Sequence, residues 1–306
     1  MTGNQKSEPL TSVVIPVYNR LKELKRAILS VLQQTCQDFE VIIVDDGSEE
    51  DIKRACDSFS DPRIRYFRNT EHVNANKARN TGILHSRGEY IAMLDSDDEF
   101  LPGHIERRID KIKEWDCDGI FGSAYIHNGK GKRLQLSRPL SPGEKMINYL
   151  LSDGYAQTSS HFYRKDAASN TLWDETLDRH QDFDFSIRFS DKYRFESDYE
   201  PTVMVHWKQK ELNVLQQDSC IRFIGKYRDY ISQKNYSDYH RGMYYLTALN
   251  GGSKYVNYYA RESYKYVREV SFNDFIFVHG KNRKYKVMLF LKFAFLHIVY
   301  FFGINC

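Results

Sequence analysis

Several common kinds of active centre are missing from this 306-residue chain. Its five cysteines (Cys36, Cys56, Cys117, Cys220, Cys306) are scattered, odd in number and never in CxxC spacing. That excludes a disulfide framework and a cysteine zinc site. Charge of one sign is scarce too: 44 Lys and Arg against 41 Asp and Glu leave +3, too little for general nucleic-acid binding. Neither GxGxxG nor GxxxxGK(S/T) occurs, so a dinucleotide-binding fingerprint and a P-loop are unsupported. No Ser or Cys stands in a nucleophile elbow. The N-terminal stretch MTGNQKSEPL is polar, and the apolar run behind it is too short for a signal peptide. A cytoplasmic protein is expected.

What the sequence does contain is a βαβ rhythm. Residues 12–17 (SVVIPV) and 39–44 (FEVIIV) are short, apolar, β-branched runs, the pattern of strands buried on both faces. Between them Leu21, Leu24, Ile28, Val31 and Leu32 follow helical spacing. A polar helix through Phe59, a strand at 64–67, a helix over 75–85 and a strand at 90–94 (YIAML) continue the alternation. One strand is expected at 119–126 and another at 202–205. The fold class is therefore α/β, with a parallel-rich central sheet flanked by helices.

In such sheets ligands gather beyond the carboxyl ends of the strands. Tyr18-Asn19, Asp45-Asp46 and Asp95-Ser96-Asp97-Asp98 all directly follow predicted strands. Three polar clusters thus converge on one sheet edge. A strand ending in Asp-x-Asp suits Mg²⁺ or Mn²⁺, since carboxylates are hard oxygen ligands and such a metal bridges phosphates. Acidic turns after strands are also ordinary helix caps, and Asp45-Asp46 also reads as a turn with side-chain-to-backbone bonds.

The ordered set VVIPVYNR (13–20), IIVDDGS (42–48), KARNTGI (77–83) and GEYIAMLDSDD (88–98) closely resembles the family 2 inverting glycosyltransferases, which have the GT-A fold. The resemblance is strong over the first hundred residues and thins to scattered matches by about residue 207. It implies that Tyr18 packs near a nucleobase and that Asp46 accepts a hydrogen bond from its ring N–H, as uracil or thymine offers. It also implies that Arg79 lies near the nucleotide, with a surface salt bridge as the alternative. Asp95 would lie near the ribose and metal, and Asp97 would be the direct metal ligand.

The same family carries an acidic pair near a helix start, which supplies the catalytic base. Here the stretch is His180-Gln181-Asp182-Phe183-Asp184, so Asp182 takes the base position and Gln181 replaces the usual acidic neighbour. One carboxylate near the acceptor hydroxyl suffices to take its proton; a second would raise its pKa. The other reading of Asp182 or Asp184 is a helix cap. In some relatives a histidine in this region is a further metal ligand; either His206 or Lys208 falls there, and the other reading of His206 is a structural role.

The expected organisation is a GT-A-like catalytic domain over 1–208, followed by a helical region over 209–306. The catalytic domain would bind the nucleotide-sugar within 10–100 and hold the acceptor and base over 101–208. Residues 287–304 are almost wholly apolar, with Lys292 and His297 inside and Lys281, Arg283, Lys284 and Lys286 before them. A helix lying at a membrane surface, one packed on the catalytic domain, and a spanning helix all remain open for it. The activity so implied is inverting transfer from a nucleotide-diphosphate sugar, by expectation a UDP-sugar, to a glycan or lipid-linked hydroxyl in surface polysaccharide synthesis. A non-catalytic scaffold holding nucleotide or glycan is the rival reading, with Gln181 in its favour. A nucleotidyltransferase would carry a Gly-rich phosphate loop, and VVIPVYNR is not one.

Overall fold

The computed structural model describes residues 8–207, 217–249, 253–263 and 265. The chain divides into two compact units, Met1–Gln209 and Lys210–Cys306. The first opens with β1 (Thr11–Val17), α1 (Leu21–Leu32), β2 (Phe39–Asp45), α2 (Ile52–Asp57), β3 (Ile64–Arg68), α3 (Ala75–His85) and β4 (Tyr90–Met93). It continues with β5 (Glu99–Phe100), α4 (His104–Trp115), β6 (Gly119–Gly122), β7 (Ala124–His127), β8 (Lys132–Gln135) and α5 (Met146–Leu151). Last come β9 (Phe162–Arg164), α6 (Lys165–Ser169), α7 (Gln181–Ser190), β10 (Phe195–Asp198) and β11 (Val203–His206).

Seven strands form the main sheet in the order β10-β6-β9-β4-β1-β2-β3, and a smaller sheet has the order β5-β11-β7-β8. Every residue of β1 and β2 is buried. Val13, Ile15, Val41 and Ile43 pack there against Leu24, Ile28 and Val31 of α1. On the other face Gly82 of α3 sits so close to β1 that an added Cβ would stand 2.3 Å from Val14 Cγ1.

The chain runs outward from β1 through β2 to β3, then returns to place β4 on the other side of β1. The switch point of the sheet, where a ligand crevice is expected, therefore lies between the carboxyl ends of β1 and β4. Proline helps to open it. Val14 accepts from Leu94 N–H while Val17 accepts from Asp46 N–H, so Pro16 faces the β4 side by the two-residue period of a strand. Pairing with β4 stops at Val14–Met93. Proline has no N–H to donate to β4, so the ladder does not continue past that pair.

Two features depart from the sequence reading. The stretch 119–126 is not one strand: it pairs in the large sheet as β6 and crosses to the small sheet as β7. The crossing is at Ser123, a buried residue whose N–H bonds Asp198 O at 3.1 Å and whose hydroxyl accepts from Ser137 N–H at 2.9 Å. The first is the last rung between β6 and β10, and the second ties the turning chain to the segment after β8. Second, β9 inserts antiparallel between β4 and β6, so the central sheet is mixed, though mostly parallel.

The second unit holds α8 (Gln217–Lys226), α9 (Gln233–Leu249) and α10 (Ser253–Ser263), with Cys220, Met243, Tyr244 and Tyr259 in its core. No helix among the described residues is long and apolar enough to cross a membrane. The apolar tail at 287–304 and Lys208 lie outside the described residues.

Candidate active site

The loops after β1 and β2 are laced together. Asn19 adopts a left-handed conformation (φ 49°), which its short polar side chain tolerates. Its backbone N–H bonds Ser48 Oγ at 3.0 Å, and its side-chain oxygen accepts from Glu49 N–H at 2.8 Å. That turn projects Tyr18 outward, 39% exposed, and stacked on His72 with ring centroids 3.8 Å apart. Gly47 (φ +84°) lets the backbone of residue 72 pass at a distance where a Cβ would meet its nitrogen at 2.8 Å.

The two neighbouring aspartates differ. Asp45 is buried and committed to the scaffold, accepting from Tyr66 OH at 2.7 Å, Arg68 at 2.5 Å and Ser48 N–H at 2.8 Å. Asp46 accepts from Asn69 Nδ2 at 2.7 Å and from Val73 N–H at 3.2 Å, and meets His72 Nδ1 at 2.8 Å. Its carboxylate has four lone-pair directions, so a base N–H would be one more donor or would replace His72.

Across the crevice Arg79 is buried, not a surface residue. Its guanidinium bonds Asp95 at 2.6 Å and Asn76 Oδ1 at 3.1 Å, and lies 4.6 Å from the Trp173 ring centroid. Its Nε is buried without a hydrogen-bond partner. Asp97 is partly exposed and paired with Arg20, at the start of α1. Asp98 turns inward: it accepts from Ser159 Oγ at 2.6 Å, Gln157 Nε2 at 3.0 Å and His206 N–H at 3.0 Å. Burial, then the charges of Asp95 and Asp97, push its pKa up to about 7. Asp98 therefore does not act as a helix cap; it ties β4 to β11. His206 itself bonds Glu99 at 2.6 Å through Nε2.

Asp182 is the second residue of α7, and His180, with φ 60°, occupies the cap position without a side-chain cap. The Asp182 carboxylate accepts from Phe183 N–H at 3.0 Å. Burial raises its pKa, opposed by that bond and by Arg79, and reinforced by Asp95. Asp182 thus lies within the field of the Arg79–Asp95 pair. Asp184 is fully buried and bonds Arg188 at 2.7 Å, a structural role, and Asp182 is the one of the two carboxylates that feels Arg79 and Asp95.

Sequence reasoning missed the clamp that carries Asp182 there. Asn80 and Trp173 exchange two hydrogen bonds, Asn80 Nδ2 to Trp173 O at 3.0 Å and Trp173 N–H to Asn80 Oδ1 at 2.7 Å. Asn76 Nδ2 donates to Asp174 O and Leu177 O at 2.8 and 2.7 Å. One face of α3 therefore holds the loop leading into α7. Asn80 stands in KARNTGI itself and Asn76 directly before it, but their partners lie about a hundred residues on, as the 101-residue separation of Asn76 from Leu177 shows.

The carboxylates of Asp95 and Asp97 fit a hard divalent cation by donor chemistry. Among the described residues no three His, Cys, Asp or Glu are arranged to hold a metal unaided. The remaining ligands would come from substrate phosphate and water, as is usual for Mg²⁺.

Comparison with known proteins completes the picture. The family model for Glycosyl transferase family 2 matches residues 12–193. Glycosyltransferase GlyG of Streptococcus pneumoniae serotype 4 is 39% identical over 121 residues, 39% of this chain and 40% of that protein. The amylovoran biosynthesis glycosyltransferase AmsB of Erwinia amylovora is 30% identical over 195 residues, 60% of this chain and 64% of AmsB. The chain thus spans less than two thirds of these curated relatives. Among solved structures, S. aureus TarS 1-349 in complex with UDP-GlcNAc is similar with TM-score 0.55 and 18% identity, over 84% of this chain and 71% of that one. This likeness shows the shared GT-A fold.

Proposed function

We propose that this chain, which belongs to glycosyl transferase family 2, transfers a sugar from a UDP-sugar to a hydroxyl of a growing polysaccharide, with inversion. One observation carries the reading. The β1–β4 crevice gathers an exposed aromatic ring (Tyr18), a buried acceptor (Asp46), a buried cation (Arg79) and the Asp95–Asp97 pair. The reading is supported further by Asp182, a carboxylate of raised pKa that feels the Arg79–Asp95 pair. The AmsB name supports a polysaccharide setting, and the UDP-GlcNAc bound by TarS supports the donor.

In this mechanism Tyr18 stacks on the base and Asp46 accepts its ring N–H. Arg79 holds Asp95 in place against the ribose. Asp97, with Asp95 beside it, would hold a divalent metal (Mn²⁺ or Mg²⁺), which when bound neutralises the departing diphosphate. Asp182 takes the proton of the acceptor hydroxyl as its oxygen attacks the anomeric carbon. A carboxylate whose pKa is raised by burial is a stronger base than one in water. Inversion follows from a single displacement with no nucleophile on the chain. Incubation with a panel of nucleotide-sugars and Mn²⁺ tests the reading: slow release of UDP supports it, and failure to release any nucleoside diphosphate would overturn it. Association of the 287–304 tail with a membrane surface is part of the proposal, and sedimentation with anionic vesicles, compared with a chain ending near Gly280, checks it.

A further inference from the structure

Beyond the reacting carboxylates, the rim of the site carries a feature the mechanism does not use. β11 ends at His206, whose N–H bonds Asp98, and the next residue is Trp207. Its indole is 57% exposed, yet its backbone is pinned by a 2.9 Å bond from its N–H to His127 O. An exposed tryptophan fixed beside a crevice is a flat apolar surface of the kind that anchors ligands.

Arg133, on edge strand β8, stands over that ring, its guanidinium carbon 5.6 Å from the indole centroid. The register explains the meeting: Arg133 lies opposite Ile126, and Ile126 opposite Val205, two residues before Trp207. Among the described residues no carboxylate pairs with Arg133; it donates to the neutral Gln135 Oε1 at 3.2 Å. Trp207 follows directly on His206, whose N–H bonds Asp98, so the stacked pair sits where β11 meets the acidic end of β4. Lys132, the neighbour of Arg133, holds its ammonium 3.5 Å from the Tyr125 ring centroid. A cationic rim thus borders a crevice whose chemistry is carried by aspartates.

We infer that Trp207 and Arg133 form an acceptor subsite for an acidic saccharide, with a sugar ring against the indole and its anionic group on the guanidinium. An arginine fork suits carboxylate and phosphate alike. Without it, an acidic acceptor would be repelled by the ionised Asp182 that its hydroxyl must reach. This inference rests on the glycosyltransferase reading and adds the class of acceptor to it.

The test is a fluorescence titration of the full chain with three probes. They are a tetrasaccharide of alternating glucuronate and N-acetylglucosamine, its carboxyl-reduced neutral counterpart, and maltotetraose 1-phosphate. Both acidic probes should bind about tenfold more tightly than the neutral one, the scale of one charge-assisted contact. Arg133→Gln should erase that preference, Arg133→Lys should keep part of it, and Trp207→Ala should weaken all three probes, followed by calorimetry because the indole signal changes. UDP binding with Mn²⁺, measured in parallel, should be unchanged in every variant. If UDP fails to bind the unmodified chain, the transferase reading itself falls. Normal UDP binding with equal affinity for acidic and neutral probes, no saturable response to either acidic probe, or unchanged affinity in Trp207→Ala overturns the subsite alone.

Discussion

The guanidinium of Arg79 and the carboxylate of Asp95, 2.6 Å apart, bolt α3 to the end of β4. Arg79 is almost wholly buried and Asp95 mostly so, so the pair is desolvated. Removing one member of such a pair leaves the other charge uncompensated, at about 3–5 kcal/mol. Arg79→Ala should lower the urea midpoint by an amount on that scale. Arg79→Lys keeps the charge but cannot bond Asp95 and Asn76 in one fork. It should recover part of the stability and little of the UDP affinity.

Asp182→Asn should leave UDP affinity unchanged and cut transfer by roughly 10²–10⁴, the usual share of a general base. The pKa shift adds a second signature. Asp182 is raised in the folded chain by burial, so the folded state holds its proton to higher pH than the unfolded state does. Its contribution to stability is full below the unfolded pKa and is lost as pH rises through the folded one. At pH 7 the charged form is a burden, and Asp182→Asn should melt no lower than the parent. In the unmodified enzyme the acid limb of kcat/KM should lie above the ordinary Asp range near 4. An Asn variant that turns over normally would falsify the assignment.

Asp97 pairs with Arg20 in a partly exposed setting, and such pairs contribute at most about 1 kcal/mol. Asp97→Ala should therefore fold normally. Calorimetry should show that Mn²⁺ strengthens UDP binding to the parent chain and has no effect on the variant. Equal UDP affinity for the parent with Mn²⁺ and with chelator would remove metal from the proposal.

Tyr18→Ala should weaken UDP by about tenfold, since an offset aromatic stack contributes about 0.5–1.5 kcal/mol beyond burial. The ring already stacks on His72, so His72→Ala should cost less than Tyr18→Ala. The reverse order would mean that His72, and not Tyr18, is the surface that meets the base.

Much of the nucleotide half was legible because fully buried parallel strands announce themselves. β1, β2 and β4 read as apolar runs, and each is followed at once by polar residues. The elements that were not legible depend on distant bonds. β5 has only two residues, too few for any period, and exists because β11 pairs with it. The split at Ser123 rests on hydrogen bonds to Asp198 and Ser137, and no local pattern encodes those. Asp98 looked like a cap because acidic residues after strands often are; its partners, Ser159, Gln157 and His206, arrive from far along the chain. Asp182 and Asp184 both also read as helix caps, and the burial of Asp184 and its bond to Arg188 tell them apart.

The bond from His206 N–H to Asp98 joins residues 108 apart in sequence, and it bears on how the protein is made. The acidic motif leaves the ribosome early, but its inward carboxylate gains its last partner only after residue 206 has emerged, Gln157 and Ser159 having come before. Closing so long a loop is slow relative to local pairing. During synthesis the first four strands can assemble while the floor of the crevice is still incomplete. A chain truncated before β11 would keep every recognisable motif of its first hundred residues and yet leave one oxygen of Asp98 without its His206 N–H partner. Such a fragment should expose the crevice to proteases and hold nucleotide poorly, however faithful its sequence.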